Sequence, residues 1–247
     1  HKDCILFFRM GDFYEMFFED AITASKILEI TLTSRNKGKD DSIPLCGIPY
    51  HAASSYIAKL IEKGFKVAVC EQIEDPKEAK GIVKRDVVRI ITPALFVETD
   101  TMDIRENSFL MALACREDRF GLAFLDISTG EFRVTESQDR EIFMAEISGL
   151  DYREVIIADD FREKDILKAL SRGEPRFRIN YFAPDYFDYD AAEARLREYF
   201  SPDLLNQEGV LQHQAAVVAA GAALRYVEET HKDHLGHINA IQWYETD

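Results

Sequence analysis

Residues 4–93 alternate between short apolar runs, which are typical of strands, and segments with the three- and four-residue spacing of amphipathic helices. Helices are predicted over residues 13–28 and about 52–63, and Gly64 is a plausible stop for the second. The runs read as strands are CILFFRM, KVAVCEQI and DVVRIITP. Strands that alternate with helices in this way predict an α/β domain.

Residues 107–247 predict a second domain. GLAFLDIS and EFRVTE are joined by a turn-like STGE and favour a hairpin, and SFLMALAC and EVIIA also have strand character. Residues 94–106 show little periodicity and are interpreted as a linker, so the expected domains are 1–93 and 107–247. Helices are predicted at about 139–149, 163–171, 190–200 and 213–231.

Charge divides between the same two parts. The formal net charge is −15, which taken whole argues against a nucleic-acid ligand. Residues 1–92, however, carry 14 basic and 14 acidic side chains, so the entire acidic excess lies in residues 93–247. This asymmetry indicates two domains with different partners.

The four cysteines, at positions 4, 46, 70 and 115, are too widely spaced for a CxxC metal or redox motif. No apolar run approaches the roughly 20 residues that a membrane helix needs. The start, HKDCILFF, lacks the features of a signal peptide, and His1 indicates a fragment of a longer protein. Reduced, mostly buried thiols in the cytoplasm are therefore expected.

The stretch RMGDFYEMFFEDA places charged and aromatic residues between a strand and a predicted helix. Asp12 and Glu15 have the spacing of a capping box, in which both would serve the helix locally. Phe13 fits core packing less well, because Tyr14, Phe17 or Phe18 already supply the inward face. Local capping and contact with a ligand both remain open from spacing alone.

Two groups of basic residues could follow a phosphate backbone. Interleaved acids also allow a simple solvated face for the first group. The first group is Lys77, Lys80, Lys84, Arg85 and Arg89, and the second is Arg35, Lys37 and Lys39.

Two further patterns suggest metals. His231, His234 and His237 could share a helical face, but Gly236 interrupts it and favours a helix end with solvated histidines. Asp126, in LAFLDISTGEF, could be a nuclease metal ligand, although such sites need several carboxylates and a turn residue is the simpler interpretation. The motifs GxxxxGK[ST], GxSxG and HExxH are absent, and no set of residues forms an evident catalytic centre.

FFRMGDFYEMFFEDA, CGIPYHA, KVAVCEQIEDP and VVRIITP closely resemble the N-terminal part of the bacterial MutS family of DNA mismatch-recognition proteins. The resemblance continues more loosely through FGLAFLDISTGEF and AAGAALRYVEET, and Ala94 departs from a glycine common in the family. It implies a mixed α/β mismatch-binding domain followed by a ribonuclease H-like connector domain that is not a nuclease.

The resemblance also implies roles for particular residues. Phe13 would wedge into the minor groove and stack on a mispaired base, and Glu15 would hydrogen-bond that base, either as a carboxylate or protonated. Supporting contacts to the wedge or to the DNA backbone are expected from Met10, Arg35, Lys84, Arg85 and Arg89.

The family further implies a longer, dimeric parent protein that binds ATP and Mg²⁺ through a domain absent from these residues. The connector would contact a MutL-type partner. Two other functions stay open: a metal-dependent nuclease that uses Asp126, and a protein-interaction module without DNA binding, which a buried Phe13 would favour.

Overall fold

The computed structural model describes residues 3–35, 42–74, 83–93, 109–171, 178–230 and 235–246. The chain forms two compact units, His1–Met102 and Asp103–Asp247, and both are α/β. The predicted linker at 94–106 lies outside the described residues. Within the described parts of the chain, no helix has the length and apolar character that crossing a membrane requires.

In its described residues, the first unit is a six-stranded sheet with two α-helices. Its strand order is β3-β4-β2-β1-β5-β6, in which β1 and β5 are parallel and all other neighbours are antiparallel. The strands are β1 (Cys4–Met10), β2 (Phe13–Phe17), β3 (Thr33–Arg35), β4 (Ile43–Pro49), β5 (Lys66–Gln72) and β6 (Arg85–Ile91). The helices are α1 (Phe18–Leu28) and α2 (Ala53–Glu62).

Both helices pack on one face of this sheet. Alternate residues of each strand point to that face, because side chains along a strand alternate between its two sides. The resulting core joins strand residues such as Phe7, Met16 and Ile48 to helix residues such as Leu28 and Leu60. Among the described residues, the other face carries a small cluster in which Cys4, Ala68 and Ile90 are buried and Leu6 and Val87 are partly buried.

The second unit contains a sheet of order β11-β10-β7-β8-β9-β12. β7, β8 and β9 form an antiparallel meander, β10 and β11 run parallel to β7, and β12 runs parallel to β9. The strands are β7 (Phe109–Arg116), β8 (Arg119–Asp126), β9 (Glu131–Ser137), β10 (Tyr152–Ala158), β11 (Arg178–Phe182) and β12 (Gln242–Trp243). This order and these directions are those of a ribonuclease H-like fold.

Helices cover both faces of the second sheet. One face packs against side chains of α3 and α4, including Phe143 and Ile166. The long, alanine-rich α7 packs against β7 and β8, so closely that Gly121 lies under the backbone of Ala215. The helices are α3 (Arg140–Ser148), α4 (Lys164–Ser171), α5 (Tyr189–Tyr199), α6 (Pro202–Glu208) and α7 (Gln214–Thr230).

Candidate nucleic-acid interface

Phe13 lies at the tip of a hairpin, not on a helix. β1 and β2 pair antiparallel with Met10 opposite Phe13, so Gly11 and Asp12 form a two-residue turn. Gly11 has a φ of 59°, which glycine adopts without steric cost in such a turn. Phe13 is 49% exposed, so the core-packing interpretation of this ring is excluded.

The prediction of a helix from residue 13 was wrong. α1 begins at Phe18, and its N-cap residue, Phe17, makes no side-chain capping hydrogen bond. Asp12 and Glu15 therefore do not form a capping box for this helix. Phe18, expected on the inward face, is 61% exposed. Tyr14 is buried as predicted, because strand alternation also directs it inward.

Glu15 lies on the same face of the sheet as Phe13, two residues along β2. It is opposite Phe8 on one side and Gly47 on the other. Its Oε2 atom is buried and has no hydrogen-bond partner within the described part of the chain. A buried carboxylate oxygen without a donor is costly, so this atom is suited to accept a hydrogen bond from a ligand.

The opposite side of the hairpin is held by a polar network. The Tyr14 hydroxyl donates to Glu71 Oε1, and Arg9 forms a 3.9 Å ion pair with the same oxygen. Burial, together with this hydrogen bond and the charge of Glu71, raises the pKa of Tyr14 to about 12. The Arg9 guanidinium lies 3.7 Å from the centre of the exposed Tyr50 ring. The network ties the hairpin to β5 and to the end of β4.

Arg85 and Met10 meet beside the hairpin. The Arg85 side chain donates to the carbonyl oxygens of Arg9 (3.3 Å) and Val83 (3.0 Å), and its Nη2 lies 4.0 Å from Met10 Sδ. Its guanidinium also lies 5.1 Å from the centre of the Phe8 ring. The structure thus brings two of the predicted site residues, Met10 and Arg85, together, and Met10 pairs with Phe13 across the hairpin.

The other predicted basic residues are more dispersed. Lys84 directly precedes β6 and is exposed, and Arg35 is exposed at the end of the edge strand β3. Arg89 is also exposed, but it lies opposite Val69, whose side chain belongs to the helix-covered core. A register shift in β6 separates Arg89 from the face that carries Arg85. The predicted Lys37, Lys39, Lys77 and Lys80 lie outside the described residues.

In the second unit, Asp126 acts as a turn residue. Its Oδ1 atom accepts hydrogen bonds from the Ser128 amide (2.8 Å) and hydroxyl (2.7 Å), as in an Asx turn. Among the described residues, no group of three or more His, Cys, Asp or Glu side chains could hold a metal ion. The feature that would have favoured a nuclease is therefore not found there. His237 contacts the Ile127 carbonyl, and His231 and His234 lie outside the described residues.

Comparison with known proteins assigns both units. The family model for MutS domain I matches residues 1–100, and the model for MutS domain II matches residues 108–239. The chain belongs to the MutS family.

The proteins named DNA mismatch repair protein MutS include several similar relatives. The chain is 44% identical to that of Lachnoclostridium phytofermentans over 246 residues, covering 100% of this chain and 26% of the relative. It is 46% identical to that of Desulfosudis oleivorans over 248 residues, covering 100% of this chain and 28% of the relative. The chain thus spans about a quarter of the length of these MutS proteins.

Within MutS domain I, sequence reasoning missed Arg9, Glu71 and Tyr50. Arg9 and Tyr14 are paired across β1 and β2, so their shared face follows from the period-two pattern of a hairpin. That pattern would have been visible had residues 13–17 been interpreted as a strand. The hydrogen bond from Tyr14 to Glu71 spans 57 residues of sequence. It depends on the parallel pairing of β1 with β5, which no local signal specifies.

Proposed function

We propose that this MutS chain recognises mispaired or unpaired bases in duplex DNA, with Phe13 as the wedge and Glu15 as the hydrogen-bonding residue. The observation that carries this proposal is the exposed Phe13 ring at the tip of a supported hairpin. Glu15 presents a buried oxygen without a partner in the described chain, on the same strand face. An apolar ring and a hydrogen-bonding group are therefore offered side by side.

The wedge discriminates through the deformability of DNA. Inserting an apolar side chain from the minor groove unstacks a base step at a cost of a few kcal/mol and kinks the duplex. A mispaired base is already poorly paired, so displacing it costs less. Phe13 can stack on any base, since every base has a π-face. Recognition of this kind accommodates many different mismatches, because it reads how readily a site deforms.

Glu15 adds a penalty against normal duplexes. A carboxylate near phosphates is repelled, and its buried oxygen gains a hydrogen bond only where a displaced base offers a donor. Matched DNA offers no such base, so it incurs the repulsion without compensation. The two residues thus act together: Phe13 opens the site, and Glu15 restricts binding to sites that open easily.

Contacts to the phosphates would position the duplex without reading its sequence. We propose this role for Arg35, Lys84 and Arg85, with Arg89 farther along β6. The Arg85 guanidinium is already oriented by two carbonyl groups, and Met10 beside it lines the base of the wedge. Residues 1–92 carry 14 basic and 14 acidic side chains, so this domain has no net charge that would repel the DNA phosphates. The acidic remainder of the chain would repel them.

The second unit has a different proposed role. Its acidic excess disfavours DNA, so we propose that it relays conformational state and contacts a MutL-type partner. We also propose domain limits of 1–93 and 107–247 with a linker at 94–106. In the longer parent, a further domain would bind ATP and Mg²⁺ and the protein would form a homodimer. We also propose that the parent acts in the bacterial cytoplasm, at the nucleoid, where its proposed ligand lies.

A binding comparison tests the proposal. Fluorescence anisotropy at low salt measures the affinity of the chain for a duplex with one G·T pair and for its matched counterpart. Phe13→Ala should lower the preference for G·T by about tenfold, since stacking contributes about 1–3 kcal/mol per base. Phe18→Ala, which removes another exposed phenyl ring from the same unit, should leave this preference unchanged. Equal preferences in the original chain and Phe13→Ala would contradict the proposal.

A further inference from the structure

We propose that Arg9 is a positioning residue that holds the Gly11–Asp12 turn in the conformation that presents Phe13. The inference rests on the proposed function of Phe13 and deepens it. Arg9 belongs to β1 and is paired with Tyr14, so it lies on the face of the hairpin opposite Phe13. It acts on the turn and does not itself contact the base.

Arg9 joins three separate segments through one planar group. Its Nε donates to the carbonyl oxygen of Gly11 at 2.5 Å. The guanidinium lies over the Tyr50 ring, 3.7 Å from the ring centre, and forms the 3.9 Å ion pair with Glu71. The turn is thereby linked to the segment after β4 and to β5. Arginine suits this role because its fork of donors and its flat face can be used at the same time.

Two further hydrogen bonds complete the support. Tyr50 donates its backbone N–H to the carbonyl oxygen of Asp12 at 3.0 Å, and Tyr14 donates its hydroxyl to Glu71. Both carbonyl groups of the turn therefore accept a hydrogen bond: that of Gly11 from Arg9 and that of Asp12 from the Tyr50 backbone. A two-residue turn at the end of a sheet would otherwise be held only by the ladder hydrogen bonds of its own strands.

This support matters because the wedge must enter DNA in one orientation. A ring that is already fixed loses less conformational freedom on insertion, and a binding group is most effective when a second layer of contacts restrains it. Arg9 lies immediately behind the turn that sets the direction of Phe13. Removing the Arg9 side chain should therefore lower the preference for mismatched over matched DNA, because Phe13 is no longer held in position. A loss of phosphate attraction alone would instead lower the affinity for both duplexes equally.

A double-mutant cycle separates positioning from a general effect on folding. The variants are Arg9→Met, Arg9→Lys, Phe13→Ala and the pair Arg9→Met with Phe13→Ala. Arg116→Met, in the other unit, is the matched control. Arg116 also donates a hydrogen bond from its Nε, to Gln214 at 2.8 Å, and its guanidinium also lies over a tyrosine ring, 4.8 Å from the ring centre. Affinities for G·T and matched duplexes are measured for each, and thermal unfolding verifies that each is folded.

We expect Arg9→Met to lower the G·T preference by about threefold to tenfold in the original background and to have no effect once Phe13 is alanine. Arg9→Lys, which keeps charge but loses the fork, should show an intermediate loss and provides the test if Arg9→Met does not fold. Arg116→Met should match the original chain.

The failures of the two proposals are distinguishable. A G·T preference that Phe13→Ala abolishes and both Arg9 variants leave intact would overturn the positioning role alone. An equal loss from Arg9→Met in both backgrounds would also overturn it, since Arg9 would then act independently of Phe13. No G·T preference in the original chain, or one that survives Phe13→Ala, would overturn the proposed function and the positioning role with it.

Discussion

Glu15 and Gly47 lie directly opposite each other in the pairing of β2 with β4. A Cβ atom at residue 47 would lie 3.7 Å from Glu15 Cγ and 3.4 Å from the Tyr14 carbonyl oxygen. The glycine therefore leaves the strand next to Glu15 without a side chain on the face that carries Phe13. In the proposed function, this opening would give a ligand access to the Glu15 carboxylate.

Replacing Glu15 by glutamine should raise affinity for matched DNA. The change keeps the size of the side chain and removes one negative charge near the phosphates, which at about 1 kcal/mol corresponds to roughly fivefold. The preference for a mismatch should fall accordingly. Anisotropy titrations with matched and G·T duplexes measure both quantities. Glu62→Gln, the same change at an exposed position on α2, is the control, and an identical gain there would show a non-specific charge effect.

Enlarging residue 47 should close the access to Glu15 in a graded way. Gly47→Ala places its methyl group at ordinary contact distance and should keep the mismatch preference. Gly47→Leu extends the side chain over the neighbouring strand and should reduce the mismatch preference below that of the original chain. The same titrations provide the comparison. A leucine variant that is folded and binds like the original chain would mean that ligands do not approach Glu15 across Gly47.

The contact of α7 with β8 predicts a strong dependence on Gly121. A Cβ atom there would lie 2.0 Å from the Ala215 carbonyl oxygen, so Gly121→Ala must displace the helix. We expect a loss of about 1–3 kcal/mol in the free energy of unfolding of the second unit, typical of overpacking. Urea denaturation followed by circular dichroism measures it. Gly149→Ala, whose added carbon would have its nearest neighbours at 3.6 Å, should change stability far less.

His213 should make the second unit less stable in mild acid. Its ring stacks on Trp243 with a centroid distance of 3.5 Å, and burial lowers its pKa from 6.5. The unfolded chain then binds more protons than the folded one, so stability decreases as pH falls below about 6.5. Denaturation between pH 7.5 and about 5, followed by the fluorescence of the single tryptophan, should show this decrease. His213→Phe keeps an aromatic ring on Trp243 and should lose less stability as the pH falls. If the pH profile of His213→Phe equals that of the original chain, His213 is not the source of the decrease.

The sequence predicted much of the architecture, because most elements have a clear period. α3, α5 and α7 were each placed within one residue of their observed ends. The error at residues 13–17 arose where two patterns overlap: Asp12 and Glu15 have capping spacing, while Tyr14 and Met16 alternate as in a strand. Pairing with β1 and β4 favours the strand, and such tertiary pairing overrides local helix preference.

Other features could not be predicted because they depend on distant partners. β11, α6 and β12 are short, and their positions are fixed by contacts with elements far away in sequence, such as the pairing of Trp243 with Val134. The candidate site shows the same limit. Phe13 and Glu15 were identified from resemblance to a family, but the support from Arg9 and Glu71 becomes visible only when β1 and β5 lie side by side.

The central claim is that Phe13 unstacks DNA at a mispair, and 2-aminopurine fluorescence tests it most directly. The probe is placed beside a G·T pair in one duplex and at the same position in a matched duplex, at low salt because phosphate contacts weaken as salt rises. Addition of the original chain should raise the fluorescence of the G·T duplex only, and Phe13→Ala should abolish that rise. Equal responses from the two proteins would contradict the account.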